Sequence, residues 1–132
     1  MFAALCDDDK YITEEIKKLL LEYAKDNRIT IDIDEFESGE ELLNSEKNYD
    51  IIVLDYQLGS TNGLTVAKEL RKRNVLSSII FLTSYPNFMI DAFEVNTFRF
   101  LLKPIDKSKF FKAIDDYIKN CRCKLSDNHH SK

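Results

Sequence analysis

Short apolar runs alternate with helical patterns from one end of the chain to the other. Phe2-Ala3-Ala4-Leu5-Cys6 predicts a buried strand that stops at three consecutive aspartates. Ile12, Ile16, Leu19, Leu20 and Tyr23 then recur at helical spacing, with Glu14, Glu15, Lys17 and Lys18 on the opposite face. Ile29, Ile31 and Ile33 alternate with Thr30, Asp32 and Asp34, which predicts a strand wet on one side, near a sheet edge. Ser38 to about Glu46 predicts a short helix with Ser38 as N-cap and Glu41 three residues on.

Ile51 to Leu54 is apolar without alternation, as a strand covered on both faces should be. Leu64 to Arg73 predicts a helix, Ser78 to Leu82 a buried strand, Asn87 to Val95 a helix, and Phe98 to Leu102 a fifth strand. The last helix is predicted from about Asp106 to Asn120, with Phe110, Phe111, Ile114, Tyr117 and Ile118 turned inward. From Cys121 the chain turns polar and is expected to fray or to begin a linker. Five β-then-α units with short connections predict a parallel sheet with helices on both faces, one domain over residues 1–120. There is no internal repeat or low-complexity segment.

Composition narrows the function classes. At 132 residues, 44% hydrophobic and 32% charged, the chain suits a soluble globular domain. A net charge of −4 disfavours nucleic acid as the domain's direct ligand, because no basic excess opposes phosphates. The apolar runs are too short to span a bilayer, and the acidic run after Cys6 is wrong for a signal peptide. With three cysteines (Cys6, Cys121, Cys123) the economical reading is reduced thiols in the cytoplasm. Cys121 and Cys123 with His129 and His130 fit no common zinc-finger spacing.

In such sheets ligands bind outside the carboxyl ends of the strands. Asp7, Asp8 and Asp9 follow the first strand, Asp55 the third, Thr83 and Ser84 the fourth, and Lys103 and Pro104 the fifth. Each alone has a plain structural explanation: acids at a helix start, a turn aspartate, a helix cap, a surface lysine. Together they require a positive charge among the carboxylates. A hard cation with oxygen ligands, Mg²⁺ (or Mn²⁺), and the Lys103 ammonium would supply it. An oxygen nucleophile, a metal, an ammonium and a hydroxyl are the parts that phosphoryl transfer needs.

The chain resembles the receiver domain of bacterial two-component response regulators. The resemblance rests on Cys6-Asp7-Asp8, Leu54-Asp55-Tyr56-Gln57-Leu58-Gly59-Ser60-Thr61-Asn62-Gly63, Phe81-Leu82-Thr83-Ser84 and Phe98-Arg99-Phe100-Leu101-Leu102-Lys103-Pro104, and covers roughly residues 1–120. It implies a flavodoxin-like (βα)5 three-layer sandwich with strand order 2-1-3-4-5. It implies Asp55 as phosphoacceptor, and Mg²⁺ held by Asp7, Asp8, Asp55 and the Gln57 backbone carbonyl. Thr83 would donate its hydroxyl to the phosphoryl group and move toward it. Lys103 would pair with a phosphoryl oxygen, placed by a cis Lys103–Pro104 bond, and Phe100 would be the aromatic that swings inward. The implied partner is a sensor histidine kinase, and the chain would be a switch, not an enzyme acting on outside substrates.

The family usually carries proline four residues after the acceptor, where this chain has Gly59. Glycine there predicts a more mobile acceptor loop and altered dephosphorylation. Residues 91–105 are similar to receivers that precede LytTR-type DNA-binding domains, which implies transcription regulation through an output domain; a free-standing phosphorelay receiver competes with that reading. The apolar excess at Phe88, Met89, Ile90 and Phe93 suits either burial or a homodimer surface made with the fifth strand and last helix. An aspartyl-nucleophile phosphohydrolase of the haloacid-dehalogenase type would carry an acid two residues after the nucleophile, where this chain has Gln57. A flavin-binding protein would place its phosphate loop on the repelling Asp7-Asp8-Asp9 run. A degenerate receiver would have lost an acid or the lysine, and all are present.

Overall fold

A computed structural model describes residues 1–58, 61–73, 75, 77–84 and 99–130, with the backbone alone at 61, 99 and 120–130. Helix α1 spans Lys10–Asp26, α2 Gly39–Asn44, α3 Gly63–Lys72 and α4 Lys107–His130. The strands are β1 (Phe2–Cys6), β2 (Asp32–Phe36), β3 (Ile51–Asp55), β4 (Gln57–Leu58), β5 (Thr61–Asn62), β6 (Ser78–Thr83) and β7 (Arg99–Leu102). Five strands form one parallel sheet in the order β2-β1-β3-β6-β7, and β4 pairs antiparallel with β5 outside it. Taken along the chain, the sheet strands stand second, first, third, fourth, fifth, the doubly wound order expected; the small β4–β5 hairpin was not foreseen. The helix expected over 87–95, with its apolar cluster, lies outside the described residues, as does Phe98.

Strand alternation divides the core into two layers. Ala4, Cys6, Ile52, Leu54, Ile79 and Phe81 face Leu42 of α2 and Val66, Ala67 and Leu70 of α3. Ala3, Leu5, Ile51, Val53, Ile80 and Leu82 face Ile16, Leu20 and Tyr23 of α1 and Phe110, Ala113 and Ile114 of α4. Burying both faces explains why β1, β3 and β6 read as unbroken apolar runs.

Two boundaries depart from the expectation. β2 begins at Asp32, not Ile29, because the Ile29 N–H is still bonded to the Ala24 carbonyl at 2.8 Å as α1 unwinds. That exit places Arg28 at φ 54°, the left-handed position that glycine usually takes. The edge placement holds, since β2 pairs with β1 alone. At the other end α4 continues to His130, through the segment expected to fray. No glycine or proline follows Pro104, so the sequence holds no strong helix stop there. Among the described residues no helix is long and apolar enough to cross a membrane.

Candidate functional site

Parallel strands all end at the same rim, so the residues after β1, β3, β6 and β7 converge. The aspartate run is divided among three jobs. Asp7 is buried, Asp8 is exposed, and Asp9 is the N-cap of α1, its side chain accepting the Tyr11 N–H at 2.9 Å. Asp9 also donates its own N–H to Asp7 Oδ1 at 2.9 Å. Asp55, 6% exposed at the end of β3, accepts the Gln57 N–H on Oδ1 at 3.3 Å. Lys103, just past β7, places Nζ 3.3 Å from Asp7 Oδ2 and 3.4 Å from Asp55 Oδ1. Its backbone N–H is bonded to the carbonyl of buried Thr83 at 2.7 Å, and the Lys103–Pro104 bond is cis.

One ammonium thus serves two buried carboxylates, and the electrostatics show the deficit. Burial, then the charge of Asp7, pushes Asp55 up to about 6, against the opposing pull of Lys103 and the Gln57 N–H. Asp7 is also raised, chiefly by burial, although the Asp9 N–H and Lys103 hold it down. Burial alone would lower Lys103, but Asp55 and Asp7 outweigh it and raise it. Cys6, beneath the site, is pushed up to about 12 by burial and then by Asp7 and Asp55, which leaves it an inert thiol. Among the described residues, Asp7, Asp8 and Asp55 bring carboxylate oxygens within 4.8 Å of one another. An all-oxygen donor set short of positive charge fits a hard divalent cation.

The acceptor loop is pinned from two sides. The Tyr56 N–H is bonded to the Leu82 carbonyl at 2.9 Å, and the Gly63 N–H to the Tyr56 carbonyl at 2.6 Å. Beyond Asp55 the chain turns back on itself through the pairs Gln57↔Asn62 and Leu58↔Thr61. Gly59 and Ser60, between those pairs, lie outside the described residues. Asn62 then caps α3, its side chain accepting the Thr65 N–H at 2.8 Å. Phe100 is half-buried, its ring centroid 6.1 Å from that of Phe81, which in turn lies 5.9 Å from Tyr56.

The structure therefore brings Asp7, Asp8, Asp55 and Lys103 into one cluster, with Thr83 beside it at the adjoining strand end. Sequence reasoning left Asp9 out of the metal set but did not identify it as the cap of α1, and it did not find the hairpin. A Gly-Ser pair between strand-forming residues was the available signal for the latter.

Residues 3–115 match the model of the response regulator receiver domain family. The chain belongs to that family. The receiver domain is 32% identical over 133 residues to the sensory transduction protein LytT of Bacillus cereus, covering all of this chain and 53% of that protein. It is 34% identical over 119 residues to LytT of Bacillus anthracis, covering 90% of this chain and 48% of the relative. The chain thus spans about half the length of these curated relatives, and they bear out the LytTR-type resemblance. Among solved structures, the response regulatory domain of mrkE from Klebsiella pneumoniae superposes with a TM-score of 0.80 at 21% identity, over 91% of this chain and 97% of that one. TrrA of Thermotoga maritima, solved in complex with Mg²⁺-BeF, superposes with a TM-score of 0.75 at 27% identity, over 88% of this chain and 97% of that one.

Proposed function

We propose that this receiver domain is a phosphorylation-operated switch in which Asp55 takes a phosphoryl group from a sensor histidine kinase. The observation that carries the reading is the bridge of one Lys103 ammonium across two buried carboxylates, Asp7 and Asp55, at the carboxyl ends of adjacent strands. The Gln57 N–H and Lys103 engage Oδ1 of Asp55, and Oδ2 is assigned as nucleophile. An O–P bond forms as the N–P bond to the kinase histidine breaks, and the departing imidazole keeps the electron pair. The product is an acyl phosphate, labile enough to be reset by water.

Asp7, Asp8, Asp55 and the Gln57 carbonyl would hold Mg²⁺ (or Mn²⁺), which when bound would neutralise charge on the transferring group. Lys103 is placed to exchange its carboxylate contacts for a phosphoryl oxygen. Thr83, buried at the end of β6, would turn its hydroxyl to another, and Phe100 would fill the space it leaves. In the whole protein the switch would act on a DNA-binding output domain, which the length of the LytT relatives supports. A homodimer formed through β7, α4 and the segment 87–95 is the surface we assign to that output; Leu102 on β7 is 43% exposed. Sedimentation with and without beryllofluoride tests it, and an unchanged mass would remove phosphorylation-driven dimerisation of this domain.

Incubation with acetyl phosphate and Mg²⁺, read by intact mass beside Asp55→Asn, tests the central reading. The wild type should gain one phosphoryl mass and the variant none. Equal gain by both, or none by the wild type from either acetyl phosphate or a phosphorylated histidine kinase, would overturn it.

A further inference from the structure

We propose that Asp9 is a positioning residue for the metal and phosphoryl chemistry, acting through Asp7 by means of the α1 cap. The inference rests on the receiver reading above and extends it to a residue that touches neither metal nor phosphoryl group. Asp7 has two carboxylate oxygens with different holders. Oδ2 faces Lys103 Nζ at 3.3 Å, and Oδ1 accepts the Asp9 N–H at 2.9 Å. The direction of that N–H is set by the Asp9 backbone, which stands in extended geometry at φ −92° and ψ 111°.

Three bonds lock that geometry. Asp9 Oδ1 accepts the Tyr11 N–H at 2.9 Å, while the Asp9 carbonyl accepts the Thr13 N–H at 3.1 Å and the Thr13 hydroxyl at 3.2 Å. The side-chain cap is the part that depends on residue type, since asparagine, aspartate and serine supply it and alanine does not. Loss of the cap frees the first turn of α1 to fray, and with it the N–H that orients Asp7. An outer partner of this sort fixes a ligand's orientation, and its removal typically weakens metal binding about 10-fold or more.

The test compares Asp9→Ala, Asp9→Asn and Asp9→Ser with wild type by calorimetric titration with MgCl2, each variant first checked by circular dichroism. Asp9→Ala should weaken Mg²⁺ binding roughly 10-fold, whereas Asp9→Asn and Asp9→Ser, which keep a cap, should stay within about 2-fold. Ser38→Ala, which removes a hydroxyl that caps α2 through the Glu41 N–H and no hydrogen bond to Asp7, Asp8 or Asp55, should lower the melting temperature as Asp9→Ala does without changing Mg²⁺ affinity. Equal weakening by all three Asp9 variants would show that only the charge of Asp9 matters, and would overturn the proposal. So would an Asp9→Ala that binds like wild type, or a Ser38→Ala that weakens binding equally. A wild type that binds no Mg²⁺ would instead overturn the receiver chemistry itself, and this proposal with it.

Discussion

Gly63 sits so close to Asp55 that a Cβ there would overlap the Asp55 carbonyl oxygen and stand 3.1 Å from both the Phe81 ring and Tyr56 Cα. Two of those three obstacles are backbone, so they cannot rotate away. The short Gly63–Tyr56 hydrogen bond keeps the approach from opening. Gly63→Ala should cost about 2 kcal/mol, within the range for overpacked cores, and should also displace the acceptor loop. Urea denaturation and the rate of phosphorylation by acetyl phosphate check both; unchanged values would show that the loop absorbs a methyl group freely.

Lys103→Met removes the ammonium between two buried carboxylates. In EDTA the variant should lose about 2 kcal/mol or more, since an unpaired buried charge is left behind. Mg²⁺ should restore part of that loss by replacing the missing charge, while phosphorylation stays far below wild type. Paired denaturation curves with EDTA and with Mg²⁺ give the comparison. Equal losses in both would mean that the metal does not lie among these acids.

The raised Asp55 sets a sign for pH dependence. A carboxyl group held at about 6 when folded, against an ordinary 3.8, binds its proton more tightly in the native state. Its contribution to stability is fully present below about 4 and is lost as pH rises through about 6. Asp7 is shifted in the same direction. The metal-free domain should therefore lose stability across pH 4–6 from these groups, and Asp55→Asn should flatten the slope and raise the melting temperature at pH 7.5. A thermal scan over pH in EDTA measures it; an identical profile for the variant would refute the assignment.

Gly59→Pro tests the loop that departs from the family pattern. Gly59 falls in sequence between the paired residues Leu58 and Thr61, and proline there fixes φ and removes an N–H where glycine leaves both free. The pairs Leu58↔Thr61 and Gln57↔Asn62 should weaken, carrying the Gln57 carbonyl with them. Acyl-phosphate lifetimes should differ severalfold between variant and wild type; equal lifetimes would separate this position from dephosphorylation.

Arg28 occupies a left-handed position at the exit of α1. Arg28→Gly should stabilise the domain by about 0.5–1 kcal/mol, the left-handed penalty less the extra backbone entropy of glycine. Chemical denaturation decides the sign.

Helical periodicity was enough to place α1, and unbroken apolar runs the buried strands, because burial on one face of a helix leaves a repeat and burial on both faces of a strand leaves none. The acid run, Asp55, Thr83 and Lys103 were likewise visible as strand-end residues, since a doubly wound sheet gathers every such end on one rim. Which of the three consecutive acids is buried, which exposed and which a cap was not. Asp7, Asp8 and Asp9 are chemically identical neighbours, and only the direction in which β1 delivers the chain into α1 makes one buried, one exposed and one a cap. The late start of β2 and the run of α4 to His130 were equally hidden, because a strand or helix boundary depends on which backbone groups find partners at a distance. The same holds for the sharing of Lys103 between Asp7 and Asp55. Those residues are far apart in the chain, and their contact exists only because β1, β3 and β7 lie in a single parallel sheet.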